Sequence, residues 1–418
     1  MKFHSVLAGA SAIGLAFAAD SSSCSFSSTT ITAATGVEQL NACPTIAGDI
    51  EVTGDQLGNV DLSSVEEISG NIKLFNSSSV TAINLNQLGK ISGSLSITAL
   101  TQLFSVDLSS LDEVETLSLV SLPSFATLNI NKGISKASSI ELSDTALSTL
   151  NGFTTTFNTI GSLNVNNNKN ISTIDLSNLN TVSQGLILSF NNDNCTVDIS
   201  NLNWASNLTI QDVSEINASN LTSVNGTFNI AYNTFKEVEF DNLKEVGGAF
   251  QFYANDDVND IAFDKLETIG GEFRLFNNTD LQDMNSTFPK LSKVKGAVNV
   301  QGVFGNFTLP DLSEVNGDFT VITTDEDFSC DDFDNLHSKS SIEGHNYTCS
   351  APTKSSSQSG SKTGSGSGSK STGSGSSDSS SSSGSSSSSG KKSEGNNLRA
   401  SYIGVLFTVI GGIFVITL

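Results

Sequence analysis

The chain has 418 residues, with 43 acidic and 20 basic side chains and a formal net charge of −23 at pH 7. This excess of acid argues against nucleic acid as a partner, because binding nucleic acid requires clustered Lys and Arg. Only 15% of the residues are charged. A polar surface made mainly of Ser, Thr and Asn suits a glycosylated extracellular protein.

The first 18 residues have the pattern of a secretory signal. Lys2 supplies a positive start, an apolar run follows, and Ala16-Phe17-Ala18 provides small residues for cleavage. We therefore predict cleavage after Ala18, the alternative being a buried N-terminal strand.

Near-repeats extend from about Ile46 to Ser329, and many units begin with Val or Ile two residues before a Gly, as in Ile68-Ser-Gly70. A period of roughly 21–25 residues indicates a solenoid, in which one unit cannot bury its apolar face alone. Apolar and polar residues alternate over runs that are too short for helices, which predicts strands. We expect an all-β solenoid over residues 19–349, a right-handed parallel β-helix that could consist of two halves, about 24–159 and 160–349.

The alternation also predicts which side chains point inward and which residues form the corners. Five inward residues are expected to be Leu74, Leu85, Leu108, Phe250 and Phe273. Because Asn tolerates left-handed backbone, a stacked corner column is predicted at Asn76, Asn167, Asn233, Asn255 and Asn277.

Four of the five cysteines flank the repeats. In an oxidising compartment, the economical pairing is Cys24 with Cys43 and Cys330 with Cys349, each closing a short loop at one end of the solenoid. Such bridges would cap ends that otherwise expose strand edges and core. Cys195 is left over and could be a buried small residue, a free thiol or an intermolecular link.

Eleven asparagines begin the glycosylation sequon Asn-x-Ser/Thr with x not Pro, and in a secreted chain they are candidate N-glycosylation sites. They are Asn76, Asn170, Asn194, Asn207, Asn217, Asn220, Asn225, Asn277, Asn285, Asn306 and Asn346.

After the repeats, residues 350–395 are almost entirely Ser and Gly, which predicts a disordered, O-glycosylated stalk. An apolar run ends the chain, preceded by the small residues Gly395, Asn396 and Asn397. This pattern predicts a glycosylphosphatidylinositol (GPI) signal, with residues 396–418 removed and the lipid attached at Gly395 or, as the second choice, Asn396. The alternative is a true tail anchor. The basic pair Lys391-Lys392 would lie close to the attached lipid, where an anionic membrane surface would attract it.

Little in the chain predicts catalysis. Two histidines, His337 and His345, follow the signal, and both lie near the C-terminal end of the repeats. Outward carboxylates and amides recur at one repeat position, but a column of equivalent groups lacks the asymmetry that a glycosidase pair needs. Its members are Asp61, Asn84, Asp107, Asn129, Asp175, Asp198 and Glu239. We therefore predict no catalytic, cofactor or metal site.

Several motifs together resemble the fungal cell-wall glycoproteins of the extracellular-mutant and sporulation-specific (ECM/SPS) type. They are the segment from Cys43 to Ile50, the recurring Val/Ile-x-Gly units, and the closing Phe328-Ser-Cys330 with Ile342-Glu-Gly344. The resemblance implies a receptor L-domain fold, which is a leucine-rich-repeat-like β-helix, and it carries over no catalytic residue.

The resemblance also implies a function. We expect a non-enzymatic, GPI-anchored protein at the outer face of the plasma membrane and partly in the wall, organising the wall through contacts with glucan or mannoproteins. The alternative is an adhesin or receptor-like ligand-binding module, which exposed aromatics such as Trp204, Tyr232 or Tyr253 would favour. A wall-polysaccharide enzyme is a third hypothesis.

Overall fold

The computed structural model describes residues 24–150, 153 and 157–353. In this part of the chain the strands pair in parallel and form a β-solenoid of about 13 turns. The predicted signal peptide and GPI signal lie outside the described residues, and so does the predicted stalk apart from residues 350–353, of which Ser350 ends the last strand. Within the described part, no helix is long and apolar enough to span a membrane.

One wall of the solenoid is a sheet with 24 strands in the described residues. A main column of strands stacks along its whole length: Thr29–Ala33, Ile50–Gln56, Ile72–Phe75, Lys90–Thr98, Glu113–Leu122, Lys136–Thr145, Thr159–Asn166, Thr181–Ser189, Leu208–Gln211, Phe228–Ala231, Phe250–Tyr253, Phe273–Phe276, Val298–Gly302, Phe319–Thr323 and Tyr347–Ser350. A flanking column of short strands lies beside it: Cys24–Ser25, Thr45–Ala47, Glu67–Ser69, Trp204–Ala205, Ser223–Val224, Glu245–Val246, Thr268–Ile269, Lys293–Val294 and Glu314–Val315.

The second wall consists of four smaller sheets in the described residues. Their strands are Val60–Asp61, Ala82–Asn84, Ser105–Asp107 and Thr127–Asn129; then Thr173–Asp175, Thr196–Asp198 and Glu215–Asn217; then Glu237–Glu239 and Asp260–Ala262; and finally Asp283–Met284 and Asn306–Phe307.

The core lies between the two walls and follows the predicted alternation. Leu74, Leu85, Leu108, Phe250 and Phe273 are each at most 1% exposed, which confirms their inward placement. In a strand, successive side chains point to opposite faces, so each turn contributes alternate residues to a continuous apolar interior.

Phenylalanines fill the core of the C-terminal turns. The rings of Phe228 and Phe250 are 5.1 Å apart, and those of Phe250 and Phe273 are 5.3 Å apart. Phe263 from the second wall contacts Phe250 edge-on, with centroids 5.0 Å apart. Edge-to-face contacts of this kind stabilise aromatic pairs beyond their buried area.

The repeat glycines are required because backbones of successive turns approach closely. A Cβ added to Gly271 would lie 2.8 Å from the carbonyl carbon of Gly248 on the preceding turn. A side chain at this position would therefore push the turns apart.

Both ends of the solenoid carry a disulfide and a short helix. Cys24–Cys43 and Cys330–Cys349 are bonded, with Cα atoms 5.8 and 5.9 Å apart. The N-terminal helix Ala34–Asn41 buries Val37 and Leu40 against the first turns, and the C-terminal helix Asp331–Ser338 buries Phe333. The disulfide caps are thus confirmed.

The predicted corner column proves to be two columns, one residue apart. Asn76, Asn167 and Asn277 do occupy left-handed corners, with φ of 49°, 56° and 54°. Asn233 and Asn255 do not; they are buried and bond neighbouring turns.

This second column is an asparagine ladder, formed by Asn168, Asn191, Asn233, Asn255 and Asn278. It is interrupted at Val213, whose N–H nevertheless donates to Asn233 Oδ1. The assignment of Asn233 and Asn255 to the corners was therefore wrong, because the corner residue and the next residue both favour Asn for different reasons.

The main sheet continues across the boundary between the two predicted halves. Lys136–Thr145 pairs with Thr159–Asn166 from Ser139↔Ser162 to Ser143↔Asn166. The division into halves remains a prediction.

Candidate functional site

The eleven sequon asparagines are all exposed. Asn217 and Asn306 lie in strands of the second wall, and Asn220 and Asn285 lie just after such strands. All eleven fall outside the strands of the main column, although four of them directly border it: Asn76, Asn207, Asn277 and Asn346. Glycans at these positions would cover the second wall and the edges, and would leave the outer face of the main column bare.

The outward carboxylates and amides stack in register, but on separate sheets. Asp61, Asn84 and Asp107 are successive partners on the four-stranded sheet. Asn84 donates from Nδ2 to Asp61 Oδ1 at 3.2 Å, so an amide separates the two charges. Asp175 and Asp198 pair on the next sheet.

These carboxylates also bind the turn that follows them. Asp175 Oδ1 accepts the Ser177 N–H at 2.9 Å, and Asp198 Oδ1 accepts the Ser200 N–H at 2.8 Å. Hydrogen bonds from the side chain and backbone of Ser177 lower the pKa of Asp175. A carboxyl group held ionised in this way is suited to closing a turn and unsuited to donating a proton.

The two histidines lie at the C-terminal end of the described chain. The ring of His337 stacks on Tyr347 with centroids 4.3 Å apart, and the Tyr347 hydroxyl donates to Asp334 at 2.6 Å. His345 is exposed on the approach to the last strand. Among the described residues, no three His, Cys, Asp or Glu side chains are grouped as a metal site.

Cys195, the cysteine without a disulfide, is buried at 1% exposure. Burial, with a smaller contribution from Asp212, raises the pKa of its thiol to about 11. Since the thiolate is the reactive form, this cysteine is a packing residue.

The most distinctive surface feature is a line of aromatic rings at the corner edge of the main column. The rings belong to Phe190, Tyr232, Tyr253 and Phe276. These residues lie at or directly after the ends of strands within a run of five successive strands of the main column. Their ring centroids are 6.4, 5.5 and 4.9 Å apart in that order. We call these four residues the aromatic strip. Phe190 is 42% exposed and Tyr232 is 39% exposed.

Arg274 lies at the C-terminal end of the aromatic strip. Its guanidinium carbon is 5.0 Å from the centroid of the Phe276 ring, and its Nε is 3.5 Å from Glu272. Partial burial and the neighbouring Tyr232 raise the pKa of Tyr253, against the opposing effect of Arg274. The Tyr253 hydroxyl is therefore a neutral hydrogen-bonding group at physiological pH.

Comparison with known proteins places the chain among fungal surface proteins. It is 52% identical over 341 residues to the cell surface GPI-anchored protein ECM33 of Candida albicans, covering 81% of this chain and 82% of that protein. It is 31% identical to the cell wall mannoprotein PST1 of Saccharomyces cerevisiae, over 77% of this chain and 71% of that protein. The chain belongs to the ECM33 family.

A more distant relative is the sporulation-specific protein 2 of Saccharomyces cerevisiae, 29% identical over 76% of this chain and 63% of that protein. No family model matches the chain, and no solved structure matches it. For this member of the ECM33 family, the surface must therefore be interpreted from its own residues.

One open cleft of about 640 Å³ lies on the second wall, where two of the small sheets meet. Glu215, Glu237 and Glu239 line it, together with Lys236. The sequon residue Asn217 also lies in its wall, so a glycan there would enter the cleft.

Sequence reasoning found only part of the aromatic strip. Tyr232 and Tyr253 were named as possible exposed aromatics, and both lie in it. Trp204 lies instead on the flanking column, beside Thr181 and Ser223. Phe190 and Phe276 were missed, because turns of unequal length obscure which aromatic residues become neighbours.

Proposed function

We propose that this protein is a non-enzymatic, GPI-anchored glycoprotein that acts as a scaffold in the organisation and integrity of the fungal cell wall. It is extracellular, held at the outer face of the plasma membrane with a smaller wall-linked fraction. Its partners are the membrane, through a lipid attached at Gly395 or Asn396, and wall glucan or mannoproteins.

The observation that carries the proposal is the placement of the sequons on the capped solenoid. Glycans attached to Asn194, Asn217 and Asn285, and to the other sequons, would surround the solenoid on its other sides, while the main column stays open to contact. A solenoid of this kind can hold neighbouring wall polymers at a fixed spacing. The names of its relatives as surface and wall proteins support the same setting.

The absence of catalysis is supported by what the carboxylates do. Asp61 and Asp107 accept hydrogen bonds from the N–H groups of the turns after them, at 3.1 and 2.9 Å. These two carboxylates stabilise the turns that follow them, and they are not placed as an unequal pair across a groove.

Deletion of the gene in the native cell tests the scaffold role. We expect sensitivity to wall-perturbing dyes and loss of surface mannoprotein, both restored by the full chain. Normal wall resistance in the deletion strain would reject the proposal.

A separate assay tests the claim that the protein is not an enzyme. Purified, deglycosylated protein should release no sugar from wall glucan, mannan or chitin. If turnover is observed and is lost in the cleft variant Glu215→Gln with Glu237→Gln, but not in Asp175→Ala two turns away, the enzyme hypothesis would replace ours.

The second candidate function is a ligand-binding module, and the aromatic strip favours it. Exposed rings in line on a bare face are typical of a recognition surface. The two functions are compatible if the ligand is itself a wall component.

A further inference from the structure

We infer that the aromatic strip binds a β-linked glucan chain, which lies along the solenoid axis across successive turns. This inference rests on the proposed wall function and gives it a contact surface. Four features of the described residues support it: backbone strain, ring spacing, charge, and the direction in which hydrogen-bonding groups point.

The strain is at Phe190 and Tyr232, which occupy left-handed corners with φ of 51° and 59°. Left-handed backbone costs roughly 1–2 kcal/mol for residues other than Gly, Asn and Asp. Elsewhere the same corner holds small or polar residues: Asn76, Ala99, Ser121, Asp144, Asn167, Asp212, Ala254 and Asn277. A bulky ring at this corner is thus unfavourable for the backbone.

Burial compensates for this cost less than it does for a core residue, because both rings are among the most exposed large apolar side chains of the described chain. Phe190 and Tyr232 thus combine a strained backbone with an exposed ring, at a corner where most turns use small or polar residues. Strained residues are concentrated at binding and catalytic sites.

The rings of the aromatic strip lie in one line along the stacked turns, with neighbouring centroids 6.4, 5.5 and 4.9 Å apart. The line is therefore at most about 17 Å long. Tyr253 and Phe276 are parallel to within 1°, whereas Tyr232 is inclined by 80° to Tyr253 and Phe190 by 40° to Tyr232. A line of partly exposed rings across several turns suits a ligand that extends along the solenoid axis, such as a linear polymer.

Charge narrows the class of ligand. Most of the outward residues beside the rings are uncharged: Ile187, Thr209, Gln211, Asn229, Gln251, Asn299 and Gln301. Two charges of opposite sign also lie there, Asp212 at the corner between Phe190 and Tyr232 and Arg274 beside Phe276. Because the protein has a net charge of −23, a basic peptide would be attracted more strongly to its acidic surfaces than to this largely uncharged face. The surface around the aromatic strip matches a neutral ligand rich in hydroxyl groups.

Hydrogen-bonding groups at this face are side chains, because the backbone groups of the main column are already paired between strands. A peptide that extends a sheet needs an unpaired edge, which the face of the column does not offer. Asn229 Oδ1, beside Tyr253, has no hydrogen-bond partner among the described residues, but it is buried and out of reach of a ligand. The side-chain amides that a sugar hydroxyl can reach here are those of Gln211, which is partly exposed, and Gln301, which is exposed.

The stereochemistry of the sugar decides between wall polymers. In a β-linked glucan all ring hydroxyls are equatorial, so both faces of each sugar present C–H bonds to the negatively polarised face of an aromatic ring. Mannose carries an axial hydroxyl at C2, which interrupts one face. We therefore assign the aromatic strip to β-glucan rather than mannan.

Binding by the purified full-length protein tests the assignment, with laminarihexaose and cellohexaose as β-glucan probes and a linear mannohexaose as the comparison. The test variant is Phe190→Asn with Tyr232→Asp, because Asn and Asp both occupy this left-handed corner on other turns and Asn at position 232 would create a new glycosylation sequon with Asn233 and Thr234. Its thermal midpoint should stay close to that of the parent, because relief of backbone strain offsets the lost ring contacts. The matched control is Phe104→Asn, which removes a ring that is 56% exposed outside the aromatic strip.

We expect the double variant to bind β-glucan about tenfold or more weakly, since exposed aromatic anchors carry a large share of binding energy. The Phe104→Asn control should bind normally. Tyr253→Gln should also weaken binding. It introduces the residue that other turns have at the same strand position, Gln211 and Gln301, and it replaces the double variant as the test if that variant is destabilised.

Three results would overturn the inference: no binding of either β-glucan by the parent protein, equal binding by parent and strip variants, or preference for mannohexaose. Failure of the scaffold function can be distinguished from failure of this inference. If strip variants lose glucan binding but restore full wall resistance to the deletion strain, the scaffold acts through another surface. If the deletion strain has a normal wall, the scaffold function itself fails, whatever the binding result.

Discussion

Asn255 is the residue at which the asparagine ladder can be tested most cleanly. Its side chain is 0% exposed. Its Oδ1 accepts from the backbone N–H of Asn233 at 3.0 Å and from Asn233 Nδ2 at 2.9 Å. Its Nδ2 donates to the Ile230 carbonyl at 3.2 Å and to Asn278 Oδ1 at 3.1 Å. Replacement by Ala removes all four contacts.

The expected cost follows from the groups left behind. Asn255→Ala leaves two buried donors of Asn233 without their acceptor, and each such group costs about 1–3 kcal/mol. The predicted loss is therefore about 2–6 kcal/mol. For a domain of this size, about 2 °C per kcal/mol gives a fall in the thermal midpoint of about 4–12 °C.

The matched control is Asn167→Ala. Asn167 is exposed, has no sequon and occupies a left-handed corner, like Ala99 and Ala254. Its loss should cost about 1 kcal/mol through the backbone alone. Melting of both purified proteins, followed by circular dichroism, decides the matter: equal midpoints for the two variants would refute the structural role of the ladder.

Three other predictions concern the core, the cap and the anchor. Leu85→Asp places an unpaired charge in the core at a cost of several kcal/mol, whereas Asn84→Ala beside it should be mild; similar melting of the two would refute the register. Cys330→Ser should lower folding yield and increase binding of an apolar dye, and a mass-mapped bond from Cys330 to Cys195 in the parent would contradict the cap. Replacing both residues of Lys391–Lys392 with Ala should shift the protein from the phospholipase-released membrane pool to the glucanase-released wall pool, and an unmodified protein already almost wholly wall-linked would refute that reasoning.

The walls of the solenoid could be predicted from the sequence because they follow a two-residue period. Leu74 and Leu108 were placed inward by alternation alone, and both are buried. The disulfides were also predictable, since Cys24 and Cys43 lie close in sequence at one end of the repeats and Cys330 and Cys349 at the other. Both features depend on local spacing.

Features that depend on the stacking of turns were less predictable. Asn167 and Asn168 are adjacent, yet the first occupies a left-handed corner and the second is buried in the ladder. The aromatic strip joins Phe190 to Tyr232 across an intervening turn whose corner is Asp212. Such contacts depend on the length of each turn, and no single unit of the sequence contains that information.

The most direct test of the central claim is rescue of the deletion strain by an anchored and a secreted form of the same chain. The full chain should restore wall resistance and surface mannoprotein. A chain ending at Glu394 keeps the solenoid and stalk but lacks the predicted anchor signal, and it should appear in the medium and fail to restore either. Full rescue by the secreted form would contradict a scaffold that acts while held at the cell surface.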